Sequence, residues 1–317
     1  MSATTVGDAG EFGVIARVTA GLEPVESTLV GPGDDAAVVA TPDGRVVAST
    51  DMLVENRHFR RDWSTAEDVG HKAAARAFSD IAAMGAAPSA LLVAFAAPAD
   101  LELDWVDGVM TGLRAECAQA SAAVVGGDVT AADTITLGLT ALGDLQGAEP
   151  VTLGGARPGD LVAVAGRLGW AAAGFAVLGR GFRSPVSVVS AHRRPEPPYF
   201  EGPRAAAMGA TSMTDVSDGL VADLGHVARA SGVRIELSGA SLAAPAKLAE
   251  VGAALNVDPM IWVLTGGDDY PLAATFPKGT DLPDPWRVVG TVLDATGEGE
   301  VRVDGRRWPV GGHEHFR

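Results

Sequence analysis

The sequence has very little cysteine and an excess of acidic over basic residues. Cys117 is the only cysteine among 317 residues, so no internal disulfide can form. This composition is typical of a reducing compartment, and we expect a cytoplasmic protein. Lys and Arg number 24 against 40 Asp and Glu, which gives a formal charge of −16. Because an acidic chain repels the phosphate backbone of nucleic acids, we expect no nucleic-acid partner.

Long hydrophobic runs and targeting segments are also missing. The stretch ALLVAFAAPA at 90–99 is far shorter than the roughly 20 residues that cross a bilayer. The N-terminal MSATTVGDAGEF has neither the basic nor the apolar segment of a secretory signal. Walker A, protein-kinase and G-x-S-x-G motifs do not occur, and the histidines show no zinc spacing. We therefore expect neither a membrane protein nor one of these chemistries.

The residues that are present suffice for two domains. Hydrophobic residues make up 47% of the chain, which is enough for two separate cores. A segment rich in Gly and Pro at 145–160 suggests a boundary between domains 1–150 and 151–317. Strand-like apolar runs and Ala-rich helical segments occur in both halves. This arrangement predicts helices and strands in both domains.

Four local patterns give specific structural predictions. Apolar spacing predicts a helix over 10–22. Two short strand-like runs flank the turn at 42–44 and predict a hairpin. Ser64 and Glu67 have the spacing of a capping box at the start of a long helix. The segment 183–204, which carries several prolines and arginines, predicts a long irregular loop.

A group of aspartates does not have the pattern of an ordinary charged surface. Most follow glycine or hydroxyl residues after apolar runs, where strands are predicted to end, without basic residues beside them. These residues are Asp34, Asp35, Asp51, Asp128, Asp215, Asp218, Asp268 and Asp269. Asp80 lies instead within an apolar helical segment, where pairing with Lys72 or Arg76 is an equally good explanation.

Each of these motifs alone is well explained as a turn, but their number favours a common site. Two carboxylates about 4 Å apart repel by roughly 4 kcal/mol at an effective dielectric near 20. Mg²⁺ relieves such repulsion and typically joins one or two carboxylates to the phosphates of a substrate. The hydroxyls of Ser49 and Thr50, next to Asp51, are further oxygen ligands for such a site.

Gly-Gly-Asp occurs once in each half, at 126–128 and at 266–268. Two related domains and two unrelated strand-ending turns explain this equally well. GPGDDA at 31–36 formally matches the dinucleotide fingerprint G-x-G-x-x-A. We reject that interpretation because a hairpin rather than a helix is predicted to follow, and two acidic side chains would face the pyrophosphate.

The ordered set of motifs resembles the thiamine-monophosphate kinase family. The motifs are GEFGVIARV, GPGDDAAVV, STDMLVENRHF, FSDIAAMGA, VGGDVT, GARPGDLVAV, DVSDGL and GGDDYPL, and together they cover nearly the whole chain. The family belongs to a wider group of ATP-binding enzymes that includes aminoimidazole ribonucleotide synthetase. The resemblance implies an α/β (α+β) fold, namely a two-domain aminoimidazole ribonucleotide synthetase-like fold with mixed sheets flanked by helices. It also implies a homodimer joined through strands of the N-terminal domain.

The resemblance also implies a reaction and its site residues. The reaction is transfer of the γ-phosphoryl group of ATP, as co-substrate, to thiamine monophosphate, with several Mg²⁺ ions as cofactors. Domain 1–150 would bind ATP and Mg²⁺ and dimerise, and domain 151–317 would complete the nucleotide and substrate site. By motif, the Mg²⁺ ligands are Asp35, Ser49, Thr50, Asp51, Asp80, Asp128, Asp215 and Asp218, the nucleotide contacts are Gly127, Asp128 and Ser217, and the substrate contacts are His58, Asp268 and His313. No general base is expected, since the acceptor phosphate is already ionised.

The sequence departs from the family pattern at three positions. Leu153 stands where an arginine often contacts ATP, and Ala120 or Gln119 replaces a tyrosine near the nucleotide. His313 replaces an aromatic residue that packs against thiamine. Two alternatives therefore stay open. One is a Mg²⁺-nucleotide-binding module without catalysis, and the other is a related enzyme with a different acceptor.

Overall fold

The structure is a computed structural model that describes residues 4–32, 36–295 and 297–308. The chain divides into two compact units. Unit 1 contains residues 1–81 and 87–146, and unit 2 contains residues 82–86 and 147–317. Both units combine helices with β-sheets, which confirms the predicted α/β class.

Unit 1 contains a four-stranded sheet, a small two-stranded sheet and three helices in its described part. The elements are α1 (Val6–Thr19), β1 (Thr28–Val30), β2 (Val38–Val39), β3 (Val47–Val54), α2 (Ala66–Ala83, whose last two residues belong to unit 2), β4 (Ala87–Ala97), α3 (Leu103–Gln119), β5 (Ala123–Ala131) and β6 (Thr136–Asp144). The strand order of the larger sheet is β3-β6-β4-β5. Only β4 and β5 run parallel; the other neighbours are antiparallel.

The larger sheet has one closely packed face. Along β6, Leu137, Leu139 and Ala141 are fully buried, while the residues between them are half-buried. The buried side chains point to the face on which α2 lies, because α2 side chains bond to Ser49 and Asp51 of β3 on that side. We call this the helix face of the sheet and the other its opposite face.

Three of the local predictions for unit 1 need correction. The hairpin is wrong, because β2 pairs with β1 whereas β3 pairs with β6. The capping box lies one residue later than predicted: Thr65 and Asp68 exchange hydrogen bonds of 2.9 and 3.2 Å between backbone and side chain. The first helix starts earlier, since Thr5 caps α1, and Gly10 interrupts its helical geometry with a φ of 66°.

Two glycines hold α2 against α3 with their backbones in contact. A Cβ on Gly70 would lie 2.1 Å from the Val109 carbonyl oxygen, and one on Gly112 would lie 2.1 Å from the Glu67 carbonyl oxygen. This close crossing restricts the position of α2, which carries the candidate site residue Asp80.

Unit 2 contains a six-stranded sheet and six helices in its described part. The elements are β7 (Leu161–Ala165), α4 (Trp170–Gly179), α5 (Val186–Arg193), α6 (Glu201–Ala207), β8 (Ser212–Asp215), α7 (Leu220–Ser231), β9 (Val233–Leu237), α8 (Ala246–Leu255), α9 (Pro259–Thr265), β10 (Leu272–Phe276), β11 (Arg287–Asp294) and β12 (Glu300–Val303). The strand order is β12-β9-β11-β7-β10-β8. Every residue of β10 is buried, so this strand lies in the core of the unit.

The prediction of an irregular loop over 183–204 is wrong. This segment contains α5 and the beginning of α6. Val188 and Val189 of α5 are buried, and a Cβ on Gly174 of α4 would lie 2.1 Å from the Val188 carbonyl oxygen. The prolines lie at helix ends or in the connection, where they do not interrupt a helix. The packing of α5 on α4 therefore outweighed the composition of the segment.

In the described ranges, no single helix is both long and apolar enough to span a membrane. The consecutive helices α8 and α9 are long and apolar enough only when taken together, and the chain bends by 118° between them.

Candidate functional site

Unit 1 brings Ser49 and Asp51 of β3 together with Arg76 and Asp80 of α2. The Ser49 hydroxyl donates to Asp80 Oδ2 at 2.5 Å, and Arg76 Nε donates to Asp51 Oδ1 at 2.8 Å. Ser49 and Asp51 are two residues apart on a strand, so both point to the helix face. Arg76 and Asp80 are four residues apart on a helix and share one side of it. We call these four residues the helix-face cluster.

The helix-face cluster places two carboxylates in a largely buried setting. Burial raises the pKa of Asp80, and the nearby Asp51 carboxylate raises it further. The hydrogen bond from Ser49 and the charge of Arg76 act in the opposite direction and lower this pKa. The expectation that no basic residue accompanies the aspartates is therefore wrong for Asp51. The sequence offered no local signal for this pairing, because Arg76 and Asp51 are 25 residues apart.

Thr50 and Asp128 do not join this cluster. In the sheet, Asp51 pairs with Leu139, whereas Asp128 pairs with Ala94 in the adjacent row of residues. Adjacent rows of a sheet point to opposite faces, so Asp128 lies on the opposite face, as does Thr50. The Thr50 hydroxyl donates to the Leu139 carbonyl oxygen at 2.9 Å. The prediction that Asp51 and Asp128 lie at strand ends is wrong, because both lie inside strands.

A close approach of two strands explains the glycine at position 127. Gly127 lies in β5, and a Cβ at this position would come 1.9 Å from the Val93 carbonyl oxygen of β4. The first Gly-Gly-Asp is therefore part of a strand, whereas the second follows helix α9. The two copies have different local structures, so the repeated sequence does not reflect a repeated structure.

His58 is held by a tight loop that follows β3. The Val54 amide donates to His58 Nδ1 at 3.0 Å, so in the neutral ring the proton is on Nε2. The next residue, Phe59, is buried and stacks on Trp105 with ring centroids 6.2 Å apart. The loop thus fixes the half-buried His58 ring in one orientation.

Unit 2 brings the motifs DVSDGL and GGDDY side by side. Asp215 is the last residue of β8 and pairs with Leu272 at the start of β10. The Asp268 amide donates to the Ser217 carbonyl oxygen at 3.0 Å, and a Cβ on Gly267 would lie 2.0 Å from that same oxygen. The candidate contacts in the described part of this unit, Asp215, Ser217, Asp218 and Asp268, therefore lie on two adjoining loops, 215–219 and 266–270.

Asp223 supports the first of these loops and was missed from the sequence. Its Oδ2 accepts hydrogen bonds of 3.0 Å from the amides of Asp218 and Gly219. Burial raises the pKa of Asp223 to about 7, against the effect of these bonds, and the charge of Asp218 raises it as well. The available signal was an acidic residue in the first turn of α7, where it can accept from free amides.

Asp269 and Tyr270 support the second loop. The Ala171 amide, in the first turn of α4, donates to Asp269 Oδ1 at 2.8 Å. Asp269 Oδ2 is buried and has no hydrogen-bond partner among the described residues, and burial raises the pKa of this carboxyl to about 7. The Tyr270 hydroxyl donates to Asp268 Oδ1 at 2.9 Å. Asp268 and Tyr270 both have left-handed backbones, with φ of 66° and 54°. Such strain persists only where the surroundings hold it, and it is common at functional sites.

Some candidate residues stand apart from these groups. Asp35, with its neighbour Asp34, and His313 lie outside the described residues. Leu153 is partly exposed, while Ala120 is buried and Gln119 donates to Glu116 Oε2 at 3.1 Å. Within the described ranges, no three His, Cys, Asp or Glu residues lie together as a ready-made metal site.

The chain is similar to known proteins in both sequence and structure. The family described as AIR synthase related protein, N-terminal domain, matches residues 33–145. The thiamine-monophosphate kinase of Mycobacterium tuberculosis (strain H37Rv) is 47% identical over 305 residues, which cover 96% of this chain and 90% of the relative. The thiamine-monophosphate kinase of Corynebacterium glutamicum is 42% identical over 308 residues, which cover 95% of this chain and 91% of that relative. A solved structure described as AaThiL complexed with AMPPCP and TMP is 32% identical, covers 98% of both chains and has a TM-score of 0.80.

Proposed function

The chain belongs to the thiamine-monophosphate kinase family, and on this basis we propose that it phosphorylates thiamine monophosphate with ATP to give thiamine diphosphate. The observation that carries the proposal is identity of 47% over 96% of the chain, because it extends through both units. The related structure with AMPPCP and TMP supports an ATP-dependent reaction with this acceptor.

The reaction needs alignment and charge neutralisation rather than proton transfer. The acceptor oxygen belongs to a phosphate that is ionised at neutral pH, so no residue has to remove a proton from it. Phosphoryl transfer is catalysed mainly by positioning and by electrostatic stabilisation of the transferred group. Accordingly, no residue of this chain is assigned as a general base.

The helix-face cluster suits a hard divalent cation such as Mg²⁺. It offers carboxylate oxygens from Asp51 and Asp80 and a hydroxyl from Ser49, which are ligand types that Mg²⁺ prefers. Two carboxylates are few for a metal site built of protein alone, but they are typical of Mg²⁺ that also binds substrate phosphates. When bound, Mg²⁺ neutralises charge on phosphate oxygens. Thr50 and Asp128 would hold metal or nucleotide from the opposite face of the sheet.

In unit 2, the paired loops would hold phosphate-bound metal and substrate. Asp215 and Asp218 are the proposed Mg²⁺ ligands, and Ser217 is the proposed nucleotide contact. Asp268 is the proposed substrate contact, and the hydrogen bond from Tyr270 orients its carboxylate. His58 of unit 1, whose neutral ring carries its proton on Nε2, is proposed to contact thiamine monophosphate, and His313 to pack against its ring.

We further propose that the protein is a cytoplasmic homodimer whose subunits join through the sheet of unit 1. The opposite face carries exposed apolar side chains such as Met52, which is 56% exposed. A cavity of about 940 Å³ extends over this face and is lined mainly by apolar residues of the sheet, α1 and α3. Burial of such a surface against a second copy would be favourable.

The test is an assay of purified protein with ATP, MgCl₂ and thiamine monophosphate. We expect equal amounts of ADP and thiamine diphosphate, measured by chromatography. Unphosphorylated thiamine is the matched control acceptor. It should yield no phosphorylated product, since its hydroxyl, unlike a phosphate oxygen, is not ionised at neutral pH and no base is assigned to it.

Other outcomes separate the alternatives. ATP binding without product would indicate a nucleotide-binding module that lacks catalysis. Product only with a different phosphorylated acceptor would indicate another reaction of the wider ATP-binding group. Either result would overturn the proposed function.

A further inference from the structure

Arg76 places a positive charge inside the group of oxygens assigned to Mg²⁺. Its Nε donates to Asp51 Oδ1 at 2.8 Å, and the two side chains are only 20% and 15% exposed. Asp51 is therefore already paired with a cation that belongs to the chain. Neither the family resemblance nor the comparisons assign a role to Arg76.

The charge of Arg76 cannot be removed by deprotonation. A guanidinium group keeps its proton at every physiological pH, so Arg76 is a permanent counter-charge. Its charge also acts on Asp80, which lies four residues further along α2 on the same side. In a largely buried setting such interactions are stronger than at the surface, because water screens them less.

A metal ion and a guanidinium group compete for the same carboxylate. A divalent cation that binds Asp51 must displace the hydrogen bond from Arg76 or bind close to its positive charge. Both alternatives lower the affinity for the metal. In the absence of metal, the same contact stabilises the folded chain, because the positive charge of Arg76 offsets the repulsion between the carboxylates of Asp51 and Asp80.

We propose that Arg76 is an internal counter-ion of the helix-face cluster, which pairs with Asp51 when no metal is bound and competes with Mg²⁺ for it. This inference rests on the proposed Mg²⁺ site, but it does not depend on the identity of the acceptor. It predicts that bound phosphates have to contribute to Mg²⁺ binding, since the cluster alone holds the ion weakly.

The experiment measures Mg²⁺ binding to the full chain without nucleotide or acceptor. The unfolding midpoint is recorded as a function of MgCl₂ concentration, and isothermal titration calorimetry gives the dissociation constant. For Arg76→Gln we expect a lower midpoint without metal and an affinity for Mg²⁺ about tenfold higher than that of the wild type. Arg76→Met is a second variant without the charge, and Arg76→Lys, which keeps it, should stay within about twofold of the wild type.

Two controls show whether the response comes from this cluster. Asp51→Asn should weaken Mg²⁺ binding, because it removes the carboxylate for which metal and arginine compete. Arg114→Gln removes another guanidinium group of unit 1, one that donates to the Ala20 carbonyl oxygen and to the Thr111 hydroxyl. It should leave the Mg²⁺ affinity unchanged.

The inference is overturned if the variants without the charge bind Mg²⁺ no more tightly than the wild type, or if Asp51→Asn leaves the response unchanged. Absence of any response in both the wild type and the variants without the charge also overturns it. Because no substrate is present, these results are independent of the kinase assay. A protein that binds Mg²⁺ as expected but forms no thiamine diphosphate would refute the proposed function and leave the role of Arg76 intact.

Discussion

Asp51 and Asp128 lie on opposite faces of one four-stranded sheet. Asp51 pairs with Leu139 on the helix face, and Asp128 pairs with Ala94 one row away. Asp51 is bonded to Arg76, whereas Asp128 is exposed on an edge strand. Unit 1 therefore presents two separate acidic positions rather than one cluster.

Replacement of each aspartate by asparagine should have different effects on stability. We expect Asp51→Asn and Asp128→Asn each to lower kcat for thiamine diphosphate formation at least about 100-fold, since each removes a negative charge assigned to metal binding. Asp51→Asn should also lower the unfolding midpoint, because Arg76 loses its charged partner. Asp128→Asn should leave it unchanged. A variant with near-wild-type kcat at saturating Mg²⁺ would contradict the metal-binding role of that residue.

The hydrogen bond from Tyr270 to Asp268 predicts a specific coupling between these residues. Tyr270→Phe removes only the hydroxyl and should raise KM for thiamine monophosphate roughly five- to tenfold, with little change in KM for ATP. In an Asp268→Asn background, the same change should add less than about twofold, because the tyrosine acts through the carboxylate. Steady-state kinetics of the single and double variants measure this coupling.

The control for Tyr270→Phe is a variant that removes a different buried hydroxyl, from the strand that follows Tyr270. Thr275 of β10 is fully buried, and its hydroxyl lies 2.7 Å from that of Ser212. Thr275→Val should lower the unfolding midpoint without changing KM. Equal KM effects of Tyr270→Phe with and without Asp268 would rule out the orienting role.

Asp269 predicts a loss of stability as pH rises. Burial raises the pKa of its carboxyl to about 7, above the value of about 3.9 in an unfolded chain. The stabilisation of the folded state by the protonated Asp269 carboxyl is therefore complete below about pH 4, and it is lost as pH rises towards and through 7. Asp269→Asn keeps the acceptor for the Ala171 amide and does not ionise. The free energy of unfolding of this variant, minus that of the wild type, should rise by about 3 kcal/mol between pH 4.5 and pH 8.

Chemical denaturation at both pH values measures this difference. Asp281→Asn, which changes an exposed aspartate of the same unit, is the matched control and should leave the pH dependence of the wild type unaltered. If Asp269→Asn keeps the full pH dependence, the buried carboxyl is not its cause.

The close approach of β4 and β5 predicts that position 127 tolerates no side chain. Gly127→Ala would place a Cβ 1.9 Å from the Val93 carbonyl oxygen and should cost about 2 kcal/mol or more in unfolding free energy. Gly138→Ala, also within this sheet, meets its nearest atom at 3.5 Å and should change the stability by less than about 1 kcal/mol. Comparable losses in urea denaturation would show that steric contact is not the reason for glycine at 127.

The observed cap of α2 predicts which hydroxyl stabilises this helix. Thr65→Ala removes the acceptor for the Asp68 amide and should cost about 1 kcal/mol. Ser64→Ala, at the position that the sequence suggested as the cap, should cost less than about 0.5 kcal/mol. Thermal unfolding of the two variants distinguishes the positions. The opposite ranking would contradict the cap seen in the structure.

Much of the architecture was predictable because it depends on local patterns. The Ala-rich periodicity around Ile81 predicts α2, and short apolar runs predict the buried strands. Prediction failed where distant parts of the chain decide the outcome. The hairpin around 42–44 did not form because β6 pairs with β3, and α5 formed in a Pro-rich segment because α4 packs against it.

The α/β class, the family and the set of acidic motifs follow from the amino-acid sequence alone, because they depend on residue identity and order along the chain. Which residues meet depends on the tertiary structure. Side chains alternate along a strand, but the register between strands decides which face becomes buried, and this separates Asp51 from Asp128. Helix packing likewise brings Arg76 to Asp51 across 25 residues of sequence. Long-range contacts of this kind leave no local pattern from which they could be predicted.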